Sequence, residues 1–499
     1  MQQGPKIPSA RESGKLFSKS LLENMVVFRR EFHDSIDFVQ REFTIGDTPA
    51  AILSIEGLID KRLIAQGILK PILDAPILQL DGDSKLRYIR DHALATSDQM
   101  QVENFPDAMD KLMSGFAVLA VDGCDFMIAF GVQGFSFRGI QEPSNEKAQR
   151  GSREGFIEVL QINISMVRRR MKSPNLMFER MIIGKESQTA VALCYLRGVV
   201  SPEIVQRIRT ALRNAELESV LAAGYLIPFL EQGGIFSSVG ISERPDTVCG
   251  KVSEGRVAIL VDGTPNVLIV PYLFVENFQS FDDYVNRPFY AAFTRWVKYL
   301  SFFIAIFLPG IFVAVGTFHP ELLPETLLLK ISESEATTPF PLMAEAVVLH
   351  FMYEIMREAG LRVPENLSHA VSIVGALVIG ETAVNAGLIG GPTLLVIAMT
   401  AIAGYVVPKL YEPIAILRIL FIVVGGVLGI WGILLCFGAV LLNISAESAY
   451  KVPFSAPISP FRLRDMRDVI IRASWKRLGK RPENVQEMPG SEVKRGRKR

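Results

Sequence analysis

From Leu367 to Leu442 the chain is a nearly charge-free reach of Leu, Ile, Val, Ala and Gly, broken at Gly390-Gly391-Pro392 and again around Lys409–Pro413. Apolar segments of this length belong in a bilayer. The first helical stretch, Ser368–Leu388, carries Gly375, Gly380, Glu381, Thr382 and Asn385. A carboxylate that deep in hydrocarbon is costly unless it faces protein or water, which makes this helix a candidate pore wall. Val371, Gly375, Val378, Thr382 and Asn385 follow spacings of four, three, four and three, so they share one stripe, with Glu381 beside it. Small and polar groups on one stripe suit close helix packing as well as a water-facing wall.

Upstream, Leu300–Phe318 is long enough to span roughly 30 Å of hydrocarbon, and Pro309-Gly310 in mid-span permits a kink. Arg287, Arg295 and Lys298 precede it and Glu321 and Glu325 follow it, a bias that puts the large N-terminal part in the cytoplasm. Thr338-Pro339-Phe340-Pro341 then stops the chain. Leu342–Met356 follows with helical periodicity and carries Glu345, His350 and Glu354. Short and amphipathic, it reads as an interfacial or re-entrant helix, and His350 and Glu354, one turn apart, can pair. Parity supports that choice. Crossings at Leu300–Phe318, Ser368–Leu388, Thr393–Val407 and Ile414–Leu442 total four and leave the basic C-terminus inside, whereas a fifth would put it outside. Pro309, Pro339, Pro341, Glu345, His350 and Glu354 are the gating or structural candidates of this half.

The first half has a different grammar. Phe43–Ile45, the Gly46-Asp47 turn and Ala50–Ile55 read as two strands, and Asp60 caps a helix to about Leu73. The run Gly115–Gly123 ends in Asp122-Gly123, a hairpin signal, with further strands at Phe126–Phe130 and around Phe135–Ile140. The order then returns: strands Arg180–Gly184 and Ala190–Leu196, Ser201 capping Pro202–Arg213, and Gly255–Gly263 ending in Asp262-Gly263. Recurrence in order implies an internal duplication. Aromatics interleaved with polar groups over 276–290 suit either an interfacial elbow or a domain-closing loop. The expected plan is therefore α/β plus membrane α. It has a flexible lead (1–38) with one amphipathic turn of helix, two related cytosolic α/β subdomains (39–145 and 146–292), a transmembrane domain (293–445) and a basic cytosolic tail (446–499). Within that tail, Phe461–Leu478 is expected as a basic amphipathic helix, facing either an anionic leaflet or the cytosolic domain.

No catalytic, cofactor-binding or metal-ligating residue is assigned. Every Gly-Lys pair is followed by a residue other than Ser or Thr, so the phosphate-loop pattern fails, and the five His form no HExxH. Four scattered Cys suggest neither a disulfide framework nor a zinc site. The formal charge of +1 conceals a basic C-terminus and an acidic loop from Glu321 to Glu335, a split that speaks of membrane orientation and not of nucleic acid.

Several ordered blocks carry a family resemblance. These are Asn286-Arg-Pro-Phe-Tyr290, Leu308-Pro-Gly-Ile-Phe-Val-Ala-Val315, Thr317-Phe-His-Pro-Glu-Leu-Leu-Pro324, Pro339-Phe-Pro341 with Glu345-Ala346, Ser372-Ile-Val-Gly-Ala-Leu-Val-Ile-Gly-Glu381 and Ile471-Arg-Ala-Ser-Trp-Lys476. Over roughly Arg180 to Pro482 the chain resembles the A subunits of GerA-type spore germination receptors. Ser474 stands where an aromatic often precedes the tryptophan, which leaves the receptor subunit and its germination-channel paralogue both open. The resemblance implies residence in the spore inner membrane, and as partners a transporter-like B subunit that binds the germinant and a lipoprotein C subunit. It further implies a homo-oligomer, a pentamer in the family's terms, whose membrane helices release monovalent cations, with no cofactor. The alternative is a scaffold or signal-relay subunit that conducts nothing.

Overall fold

The computed structural model describes residues 16–74, 82–93, 98–134, 142–143, 146, 148–231, 233–362, 380–479 and 484–493. The first unit begins with α1 (Leu21–Phe32), then β1 (Phe38–Ile45), β2 (Thr48–Ile55), β3 (Gln99–Val102), α2 (Phe105–Met113), β4 (Phe116–Val121) and β5 (Met127–Gly131). The second repeats this with α3 (Leu160–Arg170), β6 (Leu176–Ile183), β7 (Thr189–Leu196), α4 (Pro202–Arg213), β8 (Gly240–Ser242), α5 (Pro245–Ser253), β9 (Val257–Val261) and β10 (Val267–Val270). The sheets have matching antiparallel orders, β1-β2-β4-β5-β3 and β6-β7-β9-β10-β8. Their central strands β4 and β9 are buried on both faces, which is why they read as unbroken apolar runs.

The duplication extends to single hydrogen bonds. Asp122 Oδ1 accepts from Leu21 N at 2.8 Å, and Asp262 Oδ1 accepts from Leu160 N at 3.0 Å. Each Asp-Gly turn therefore also holds the first turn of the helix that opens its own subdomain, using free N–H groups at that end. Gly123 and Gly263 take φ of 88° and 84°, the left-handed turn geometry glycine tolerates. Asp60 and Ser201 cap the helical turns after β2 and β7 through Arg62 N and Glu203 N. The strand expected around Phe135–Ile140 lies outside the described residues.

Two parts of the sequence-based plan differ. The lead expected to be flexible contains α1, whose Phe28 and Phe32 are fully buried on the first sheet. The basic tail takes the second of its two expected places, on the α/β part, but in another form: Val452, Ala456, Val469, Val485 and Val493 pack in one core with β7 and β9. Phe461–Leu478 forms no continuous helix, only a turn of 3-10 helix at Asp465–Asp468 and a single turn of α-helix at Trp475–Leu478. Asp465 and Asp468 are turned inward onto the protein, and this interrupts the amphipathic pattern the periodicity suggested.

The helical half holds α6 (Pro288–Phe318), α7 (Glu325–Thr337), α8 (Leu342–Arg362), α9 (Gly380–Asn385), α10 (Gly391–Val406) and α11 (Tyr411–Ala446). Only α6 and the 408–446 stretch are each long and apolar enough to cross a membrane among the described residues. α11 is not straight. Gly429 at φ 62°, ψ −155° reverses it, and Phe307 touches both Phe421 (ring centroids 4.6 Å) and Phe437 (5.1 Å). Sixteen residues of straight helix would separate those two by about 24 Å, so 411–428 and 430–446 run antiparallel.

The bundle thus has a near end, against the α/β part, and a far end. At the near end Lys409 Nζ pairs with Glu146 at 3.2 Å, and Phe274 N donates to Phe454 O just after α11 ends. At the far end Gly429 lies beside the Phe318 ring. α8 begins at the far end, where Leu342 meets Gly316 and Met343 meets Gly426, and descends until Glu354 meets Tyr411. Over Leu342–Glu354 it lies along the bundle and not across its end, where the sequence suggested an interfacial or re-entrant helix, because its polar residues find partners inside. The 276–290 stretch closes the join: Glu276 is buried among cations and Phe278 stacks on Tyr299 at 4.2 Å.

Candidate functional site

Inside the bundle the only charged residue between Ile414 and Leu442, Arg418, is fully buried. Its Nε donates to Ala305 O at 2.9 Å, one Nη donates to Thr400 O at 3.2 Å, and the other lies 3.5 Å from His350 Nδ1. An arginine only donates, so His350 Nδ1 accepts and the ring proton sits on Nε2. That nitrogen lies 3.7 Å from Glu354 Oε1. Glu354 also accepts from the Tyr411 hydroxyl at 2.6 and 2.7 Å, and the Arg357 guanidinium covers the Tyr411 ring at 3.2 Å. The expected His350–Glu354 neighbourhood is therefore present, as two members of a chain that ties α8, α10 and α11 to α6.

The other candidates fall apart from this cluster. Glu345 is buried at the head of α8, where it accepts from Gly390 N and so fixes the start of α10. Pro309 is buried in the middle of α6. Pro339 and Pro341 are exposed just before α8, and Pro341 O accepts from Glu345 N at 3.0 Å. Of the stripe, Val371, Gly375 and Val378 lie outside the described residues. Glu381, Thr382 and Asn385 sit on α9 and are all exposed. Thr382 also lines a cavity of about 460 Å³ with Glu345, Phe340 and Leu388.

Arg418, Thr400, Tyr411 and Arg357 were not singled out from the sequence. A lone arginine in an otherwise apolar run was the available signal for the first; ionisable groups at such places are kept only where a partner is at hand. The other three become partners only through contacts between distant segments.

At the near end a second cluster joins the units. Arg295, fully buried in α6, binds Asp283 at 3.0 Å and Asp468 of the tail at 2.9 Å, while Lys298 reaches Asp283 at 3.2 Å. Tyr284 donates to Asp468, and Trp475 Nε1 donates to Tyr284 O at 2.9 Å. The start of α6 is thus held by the loop before it and by the tail at once.

Residues 26–484 match the family model described as Bacillus/Clostridium GerA spore germination protein. Spore germination protein KA of Bacillus subtilis is 36% identical over 482 residues, covering 95% of this chain and 88% of that one. Spore germination protein GerLA of Bacillus cereus is 30% identical, covering 94% and 96%. Among solved structures, the N-terminal domain of the A subunit of the Bacillus megaterium spore germinant receptor GerK3 is 31% identical with a TM-score of 0.43, covering 52% of this chain and 98% of that one. With a family match spanning nearly its whole length and relatives of this identity, the chain belongs to the GerA family of spore germination proteins.

Proposed function

We propose that this chain is the membrane-embedded A subunit of a nutrient germinant receptor in the spore inner membrane, acting with a transporter-like B subunit and a lipoprotein C subunit. Several copies, five in the reading the resemblance implies, surround a passage for monovalent cations lined by Val371, Gly375, Val378, Glu381, Thr382 and Asn385. The single observation that carries this is the exposure of Glu381, Thr382 and Asn385 on α9. A passage through one protomer is disfavoured, because its interior is packed shut between Gly310 and Phe421 and holds the Arg418 cation, which repels other cations. Glu381 carries the opposite sign and suits a cation pathway.

Among the described helices, α6 and the first half of α11 run away from the α/β part and α8, α10 and the second half of α11 run back towards it; with the Ser368–Leu388 crossing expected from the sequence these make six. Both ends of the helical half then face the α/β part, as the charge bias requires.

Purified protein in liposomes should carry potassium, and Val378→Ala, which widens the stripe, should raise the germinant-independent leak severalfold. Absence of flux in the intact receptor, with Val378→Ala indistinguishable from the parent, would leave a non-conducting relay between the B subunit and another effector.

A further inference from the structure

The tail between Phe461 and Gly479 is anchored from within and open on its other side. Asp468 and Arg472 are buried against Arg295 and Tyr284, and Val469 is part of the second sheet's core. Phe461, Leu463 and Trp475 nevertheless remain 65%, 80% and 59% exposed. Around them Arg462, Arg464, Lys476 and Arg477 are all exposed, and the only acid not buried there is Asp465, half-buried beside Arg462. Water-facing aliphatic and aromatic side chains beside a cluster of exposed cations are poorly placed in a cytosolic surface and well placed where hydrocarbon meets headgroups.

The height of this ridge follows from α6. Asp468 is fixed to Arg295, five residues or about 7.5 Å along the helix before the apolar stretch starts at Leu300. The headgroup zone of one leaflet is roughly 5–7 Å deep. The same turns of α6 expose Phe289, Phe293 and Trp296, at 90%, 64% and 58%, in line with Leu300. With 31 residues α6 is about 46 Å long, so these aromatic turns extend past the hydrocarbon into that zone.

We propose that the ridge around Arg462, Arg464, Trp475, Lys476 and Arg477 is a docking surface for anionic phospholipid headgroups of the leaflet next to the α/β part. This rests on the bundle spanning a membrane. A second copy of the chain is a poor occupant, because a two-fold contact would bring four cations onto four cations. A lipid surface supplies both needs at once, negative charge for the guanidinium and ammonium groups and an apolar layer for Leu463 and Trp475. Because the ridge is fixed to Arg295 and to the second sheet, its seating sets how the α/β part stands relative to the membrane.

The three tryptophans allow a direct test. Full-length protein retaining only Trp475, and protein retaining only Trp431 on the exposed face of α11, the other two replaced by Phe, are reconstituted with phosphatidylcholine brominated on its acyl chains. Phosphatidylglycerol is included or left out. Trp431 should be quenched in both lipids. Trp475 should be quenched about twofold or more strongly when phosphatidylglycerol is present, and R462E/R464E/K476E/R477E or high salt should abolish that difference. Quenched Trp431 with Trp475 indifferent to lipid charge overturns the docking surface and leaves the membrane reading standing; unquenched Trp431 takes both down. Protection of Trp475 from iodide in detergent that grows with protein concentration assigns the ridge to a second copy and likewise overturns the inference.

Discussion

At Glu276 one carboxylate serves two cations in a site closed to water. It pairs with Lys251, accepts from Arg256 at 2.7 Å and takes the Leu273 N–H at 2.8 Å. Burial alone would push its carboxyl up, yet the Arg256 guanidinium and then the Lys251 ammonium outweigh burial and hold it below the ordinary carboxylate range. A carboxyl depressed on folding adds stability that is complete above its unfolded value and is lost as the pH falls through that range towards its own lower value. Glu276→Gln keeps the shape but leaves two buried cations sharing Glu254, at a cost of about 3 kcal/mol. The α/β part should then unfold roughly 6 °C or more lower at neutral pH in a thermal melt, and its acid-side decline should be shallower than the parent's. An unchanged melting temperature, or an unchanged acid slope, would show that the pair contributes little. Sequence reading could not find this pairing, since Lys251, Arg256 and Glu276 meet only after β9 and β10 have folded. Asp122 and Asp262 show the same limit: their turns were legible from Asp-Gly, but their bonds to Leu21 and Leu160 span more than a hundred residues.

At the scale of elements, glycine decides how closely α6 and α11 approach. A Cβ on Gly310 would stand 2.5 Å from Phe421 O, and one on Gly425 would stand 2.5 Å from Gly310 O, so each helix needs the other's missing side chain. Neither obstacle is a side chain that can swing away; both are backbone. Gly310→Val or Gly425→Val should therefore force the helices apart, costing about 3 kcal/mol or more and lowering the detergent-solubilised melting temperature by several degrees. Gly438→Ala is the control: nothing lies within 4 Å of its added methyl, and a helical alanine is favoured over glycine, so the melt should stay put or rise slightly. If the valine variants melted like the control, the close crossing would not be a source of stability. The hairpin within α11 was illegible for a related reason. Composition reports that 414–442 is apolar but not which of its glycines turns the chain, and a reversal at one residue leaves the hydropathy unchanged. Helix α8 shows the opposite limit. Its Glu345, His350 and Glu354 made it look like an interfacial helix, whereas each is matched by Gly390, Arg418 or Tyr411 from elsewhere in the bundle.

For the whole molecule these two readings cancel in parity and differ in topology. Counting α8 as flat and 414–442 as one crossing gives four; counting α8 as a crossing and α11 as two gives six. Both keep the α/β part and the tail on one side, so the charge rule alone cannot choose between them. Position 412 can. With four crossings the turn before α11 faces outside; with six it lies at the near end, beside Lys409 and its partner Glu146. Glu412, Glu333 on α7 and Arg464 in the tail are all exposed and can each carry a cysteine, in a background where the four native cysteines are replaced by Ala. An impermeant maleimide applied to intact cells should label Glu333→Cys, whereas Glu412→Cys and Arg464→Cys should react only after permeabilisation. Labelling of Glu412→Cys from outside would restore the four-crossing arrangement and remove the hairpin at Gly429. The distinction matters for conduction. With six crossings α8 joins the membrane bundle, and Glu381, Thr382 and Asn385 on α9, exposed close to the Gly390 that Glu345 holds at the head of α8, are open to a neighbouring copy.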